Sequence, residues 1–128
     1  MSYYSSKTLA MSFDKAIIKV TEELEKEGFG IITEIDVKET LKKKLDIDFR
    51  KYKILGACNP HFAYQALQVE NKIGLMLPCN VIVQEISGGK TEVAAIDPIA
   101  SMQAIENPKL RYVAEQVQSK LKRVIDSL

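Results

Sequence analysis

Apolar residues recur along this chain with two periods, and the changes of period mark its elements. Tyr3 to Met11 mixes β-forming with polar residues and predicts a first strand. Ser12 then suits an N-cap, because its hydroxyl can accept a free amide of the first helical turn. Phe13, Ile17, Val20 and Leu24 follow at helical spacing and make one apolar face. Glu22 and Lys26 stand four apart on that helix, a spacing that favours an ion pair. Gly28 and Gly30 end it, since glycine accepts the left-handed backbone of a helix C-terminus.

Ile31, Thr33, Ile35 and Val37 alternate with Glu34 and Asp36, which predicts a half-buried strand. Asp36, with Glu39 three residues on, also predicts the cap of a short helix striped by Val37, Leu41 and Leu45. Tyr52 to Ala57 is a short apolar run and reads as the third strand. Asn59-Pro60 opens a helix over His61 to Glu70: Asn caps, and Pro at the first helical position loses only an amide that would be unpaired anyway. Ala63, Ala66 and Leu67 allow close packing on it. Val81 to Ile86 and Thr91 to Ile96 flank Ser87-Gly88-Gly89-Lys90, the clearest hairpin signal in the chain. Asp97-Pro98 breaks the second of these strands. Asn107-Pro108 repeats the cap-and-proline start, and Leu110, Val113, Val117, Leu121 and Val124 give a final amphipathic helix.

A pure alternation of strand and helix would imply a parallel sheet. The terminal hairpin forces at least one antiparallel pair. The expected fold class is therefore α+β: a two-layer sandwich with a mixed or largely antiparallel sheet and helices packed on it.

Composition narrows the setting. The 128 residues suit a single domain over 1–128, with enough chain to bury a core without disulfide or metal staples. Apolar residues at 46% and charged residues at 27% are ordinary for a globular chain. A net charge of +1 gives no global field toward nucleic acid or membrane. The lysine and arginine cluster over 42–53 is interrupted by Asp46 and Asp48 and carries no aromatic stacking pattern, so it reads as a solvated face. The first residues lack an apolar signal core, and no apolar run approaches the length of a membrane span. The expected location is cytoplasmic, with reduced thiols. No phosphate-binding glycine loop is present, and the chain specifies no cofactor.

Candidate chemistry lies in the only two cysteines. Each is followed by Asn and sits where an apolar run meets a new element: Gly56-Ala57-Cys58-Asn59-Pro60 and Leu77-Pro78-Cys79-Asn80. The plain alternative is that both are small buried hydrophobes. Against it, Cys58 precedes a helix start, where the dipole and free amides favour a thiolate. Pro78 cannot donate to a sheet ladder, so the backbone before Cys79 is interrupted and leaves room for a ligand. The spacing is far from Cys-x-x-Cys. Cys58, His61 and Cys79 could offer a metal three ligands only if the strands converge, and no metal is assigned.

Three functions follow. The first is a binding or redox- and sulfur-sensing module for a small-molecule ligand, with a pocket built from Cys58, Asn59, Cys79, Asn80 and Asp97. The second is a thiol-dependent enzyme, with Cys58 as nucleophile and His61 as base. The third is a structural protein acting through self-association. A homodimer is expected in any case, since twofold pairs are the commonest closed assembly.

The run Tyr52-Lys53-Ile54-Leu55-Gly56-Ala57-Cys58-Asn59-Pro60 resembles the signature of the family called Domain of Unknown Function 302. Ala63-Tyr64-Gln65-Ala66-Leu67, Gly74 to Val81, and Ile96-Asp97-Pro98 with Met102 extend the resemblance over nearly the whole chain. His61 departs from it, standing where similar sequences often have a small or apolar residue. The resemblance implies a compact single-domain α/β protein of the kind found mainly in bacteria and archaea. It brings no established activity, cofactor or catalytic residue.

Overall fold

A computed structural model describes residues 2–128. Its main elements are β1 (Tyr4–Leu9), α1 (Phe13–Lys26), β2 (Gly30–Asp36), α2 (Val37–Leu45), β3 (Tyr52–Cys58), α3 (Pro60–Val69), β4 (Cys79–Ser87), β5 (Lys90–Ile96), α4 (Pro98–Ser101) and α5 (Pro108–Asp126). The strands form one sheet in the order β1-β5-β4-β3-β2, and every neighbouring pair is antiparallel. The fold is α+β, with the sheet at the fully antiparallel end of the expected range.

Local chemistry sets most boundaries. Ser12 Oγ accepts the Lys15 amide at 3.3 Å and starts α1. The end of α1 is a Schellman motif: Phe29 N–H donates to Leu24 O and Gly28 N–H to Glu25 O. Gly28 sits at φ +87°, where a side chain would be strained. Phe29, next after it, turns back into the core beside Leu24, and both are buried. Asp36 Oδ1 accepts the Glu39 amide at 3.0 Å and opens α2.

One face of the sheet carries Leu55, Ala57, Val81, Val83, Val93 and Ala95, all buried. Against it pack the apolar faces of α1 (Phe13, Ala16, Val20, Leu24) and α5 (Leu110, Val113, Val117, Leu121, Val124), which share one core cluster with these strands. Each fully buried Leu or Val contributes roughly 1.5–3 kcal/mol relative to exposure.

Two local expectations need correcting. Lys26 pairs with Glu23 at 3.0 Å, not with Glu22. Residues three apart on a helix are neighbours as well as those four apart. In β2 the alternation does not hold, because a bulge falls at Ile32. Ile31 pairs with Ala57 but Thr33 with Gly56, so the bulge sends Thr33 and Ile35 to the face opposite Ile31. Ile35 is left 49% exposed on this edge strand. Two short elements also went unforeseen: a 3-10 turn at Ile73–Met76, and α4.

Candidate functional site

β3 leaves the sheet at Cys58 and β4 begins at Cys79. Ala57 pairs with Cys79, so both thiols lie at the same end of the sheet, one register step apart. Gly56 permits this approach. A Cβ there would collide with Thr33 Oγ1 and come 2.7 Å from Pro78 Cγ, so only glycine lets the chain at Pro78 lie against β3. The Leu77–Pro78 peptide is cis.

Both cysteines line one cavity of about 290 Å³ between the sheet end and helices α3 and α5. Alanines at 57, 63, 66 and 114 surround it and leave the space open. Phe62, Leu77, Met102 and Val113 supply larger apolar walls. Ile32 and Leu67, 62% and 45% exposed, mark its mouth. The lining is almost wholly apolar, and the volume is close to the low end of small-molecule sites, about 300 Å³.

The two thiols differ. Cys79 is buried, and its pKa is pushed up to about 11. Burial is the main cause, since a thiolate there would lose its hydration; the neighbouring Cys58 adds to the effect. At neutral pH Cys79 is a neutral thiol. Cys58 is half-buried and is the more accessible of the pair.

The remaining expected site residues divide. Asn59 lines the cavity and stands at the N-cap of α3, with Pro60 at the first helical position as expected. Its side chain makes no cap bond, however; Nδ2 donates to Glu27 O at 3.2 Å and ties α3 to the end of α1. Asn107 does cap as expected: its Oδ1 accepts the Lys109 amide at 3.1 Å, and its Nδ2 donates to Val69 O at 2.8 Å. Asn80 is exposed and pairs with Gly56, away from the cavity. Asp97 caps α4 through the Ile99 and Ala100 amides, and its other oxygen accepts from Gln118 at 2.9 Å. His61 is exposed; its Nε2 meets Gln65 Nε2 at 3.2 Å, and its ring stands edge-on to Phe62. No hydrogen bond joins it to Cys58 among the described residues.

Of the residues singled out in the sequence, Cys58, Asn59 and Cys79 line the cavity; its apolar walls were not singled out. Leu77, Phe62, Met102 and Ala114 were invisible as a site because each reads as ordinary core. The one usable signal was the Ala63, Ala66 pair, three apart on α3, which reads as close helix packing and instead borders open space.

Fold and site together define a two-layer α+β protein with one antiparallel sheet and a thiol-bearing apolar cavity at its end. The family model described as domain of unknown function DUF302 matches residues 5–128, and the chain belongs to that family. It is similar to the crystal structure of an uncharacterized conserved DUF302 protein from Bacillus stearothermophilus, with 26% identity, a TM-score of 0.90 and 98% of each chain covered. No curated protein matches the chain. Among the described residues, no helix is long and apolar enough to cross a membrane.

Proposed function

We propose that the protein is a binding module for a small apolar molecule, held in the cavity that Cys58 and Cys79 share. The observation behind this reading is the cavity itself: about 290 Å³ of open space, walled by apolar side chains beside two free thiols. A solvent-accessible cleft with predominantly apolar walls is the usual form of a small-molecule site and favours an apolar guest. The thiols are soft, polarizable contacts and favour a ligand with a sulfur or another soft atom at that end. A sensing role fits the same site, with the more accessible Cys58 as the thiol that a bound ligand would meet first. The enzyme reading is weaker, because His61 bonds Gln65 on the exposed side of α3 rather than the thiol.

Toluene serves as a test ligand. Titration followed by methyl NMR spectra should shift Leu67, Leu77, Met102 and Val113 together and saturably. Ala63→Leu, which fills the space, should abolish those shifts while leaving the melting temperature unchanged or higher. Shifts that are absent, or scattered over the sheet, would count against the cavity as a binding site.

A further inference from the structure

The sheet face opposite α1 and α5 holds a second apolar surface. Cross-strand pairing aligns Ile35, Ile54, Ile82 and Ala94 in one row over β2, β3, β4 and β5. Beside it runs a polar row: Arg50 Nε donates to Gln84 Oε1 at 2.9 Å, and Gln84 Nε2 donates to Glu92 Oε1 at 2.8 Å. A shallow groove of about 410 Å³ lies between Tyr4 and Tyr52, with Ile82 and Ala94 in its lining.

We propose that this face is a homodimer interface, covered by a second copy of the same chain stacked sheet to sheet. The arrangement is self-complementary about a twofold axis running along β4. Such an axis lays β4 on β4 and places β3 of one copy over β5 of the other. Ile82 then meets its own counterpart. Ile54, a large side chain, meets Ala94 of the second copy, a small one. Arg50 meets Glu92 of the second copy, and the same contacts recur on the other side of the axis. Stacked sheets pack within about 30° of parallel, which preserves this matching near the axis.

Five strands spaced ~4.8 Å apart and ~20 Å long span roughly 480 Å² per copy, an upper bound because Pro78 already covers this face at Gly56. Tyr3 and Tyr4 at the rim, both exposed, add aromatic area of the type enriched in interfaces.

Sedimentation velocity tests the proposal. At about 50 μM, well above the dissociation constant of a specific homodimer, the chain should sediment as a dimer of the 14.4 kDa protomer. Ile82→Lys should sediment as a monomer with an unchanged far-UV spectrum. Arg50→Glu and Glu92→Arg should each raise the dissociation constant roughly tenfold, and the double variant should recover most of that loss. A monomeric parent protein, or a folded Ile82→Lys that remains dimeric, overturns the proposal. Should Ile82→Lys fail to fold, a double charge swap no better than the single ones overturns it instead.

Discussion

Cys58-Asn59 ends one strand, and Cys79-Asn80 begins the strand beside it. The same dipeptide meets different surroundings in the two places. Cys58 is half-buried with Asn59 turned toward α1, whereas Cys79 is buried with Asn80 facing solvent. Antiparallel register explains the difference. Ala57, not Cys58, lies opposite Cys79, so the two motifs are offset by one residue. Side chains alternate along a strand, so this offset puts Cys79 on the buried face with Ala57 and leaves Cys58, at the very end of β3, only half-buried. Repetition in sequence thus marked one location, but it did not imply equivalent roles.

The largest test of this comparison is Gly56→Ala. The added methyl group would meet the Pro78 ring, which cannot yield without moving the start of β4, and would force Thr33 Oγ1 to rotate away. A loss of about 3 kcal/mol is expected, at the upper end for overpacking a site. Urea denaturation reads it directly. An unchanged midpoint would mean that Pro78 does not set the position of Cys79.

Cys79 next provides a pH test. Its folded pKa lies above that of the unfolded thiol, so folding favours the protonated form. The contribution is fully present below about pH 9 and is lost as pH rises toward about 11. A shift of that size corresponds to roughly 2–3 kcal/mol. Lysines and tyrosines titrate in the same range, so the informative quantity is the parent protein minus Cys79→Ala, followed by urea melts from pH 8 to 11. The stability of the parent protein should fall more steeply; parallel curves would show that Cys79 is not held as a thiol.

The asparagines give the smaller effects. Asn107→Ala removes a cap and a tie to Val69 and should cost about 1–2 kcal/mol. Asn59→Ala removes only the bond to Glu27 O and should cost about 1 kcal/mol or less. Thermal melts that reverse this order would contradict the different roles of two similar Asn-Pro starts.

These residues also show what the chain made legible. Helix starts at Ser12, Asp36 and Asn107 were readable, because capping is local chemistry. The antiparallel hairpin was readable from its two glycines, of which Gly89 does adopt a positive φ, +80°. The bulge at Ile32 was not, since it is defined by the strand opposite and not by its own neighbours. Nor was the side-chain bond of Asn59, which depends on where α1 ends in space. The site was half legible for the same reason. Thiols announce themselves, whereas an empty apolar volume belongs to the packing of distant segments such as Ala63, Met102 and Ala114.

The central claim is that Cys58 borders a cavity that a small apolar molecule can occupy. Brief alkylation with iodoacetamide at neutral pH, read by mass spectrometry, tests it directly. Cys58 should label faster than Cys79, because Cys79 is buried and protonated. Saturating toluene should then slow Cys58 labelling several-fold, and Ala63→Leu should remove that protection. Equal, slow labelling of both thiols, or a Cys58 rate indifferent to toluene, would contradict the account and leave the pair as core side chains.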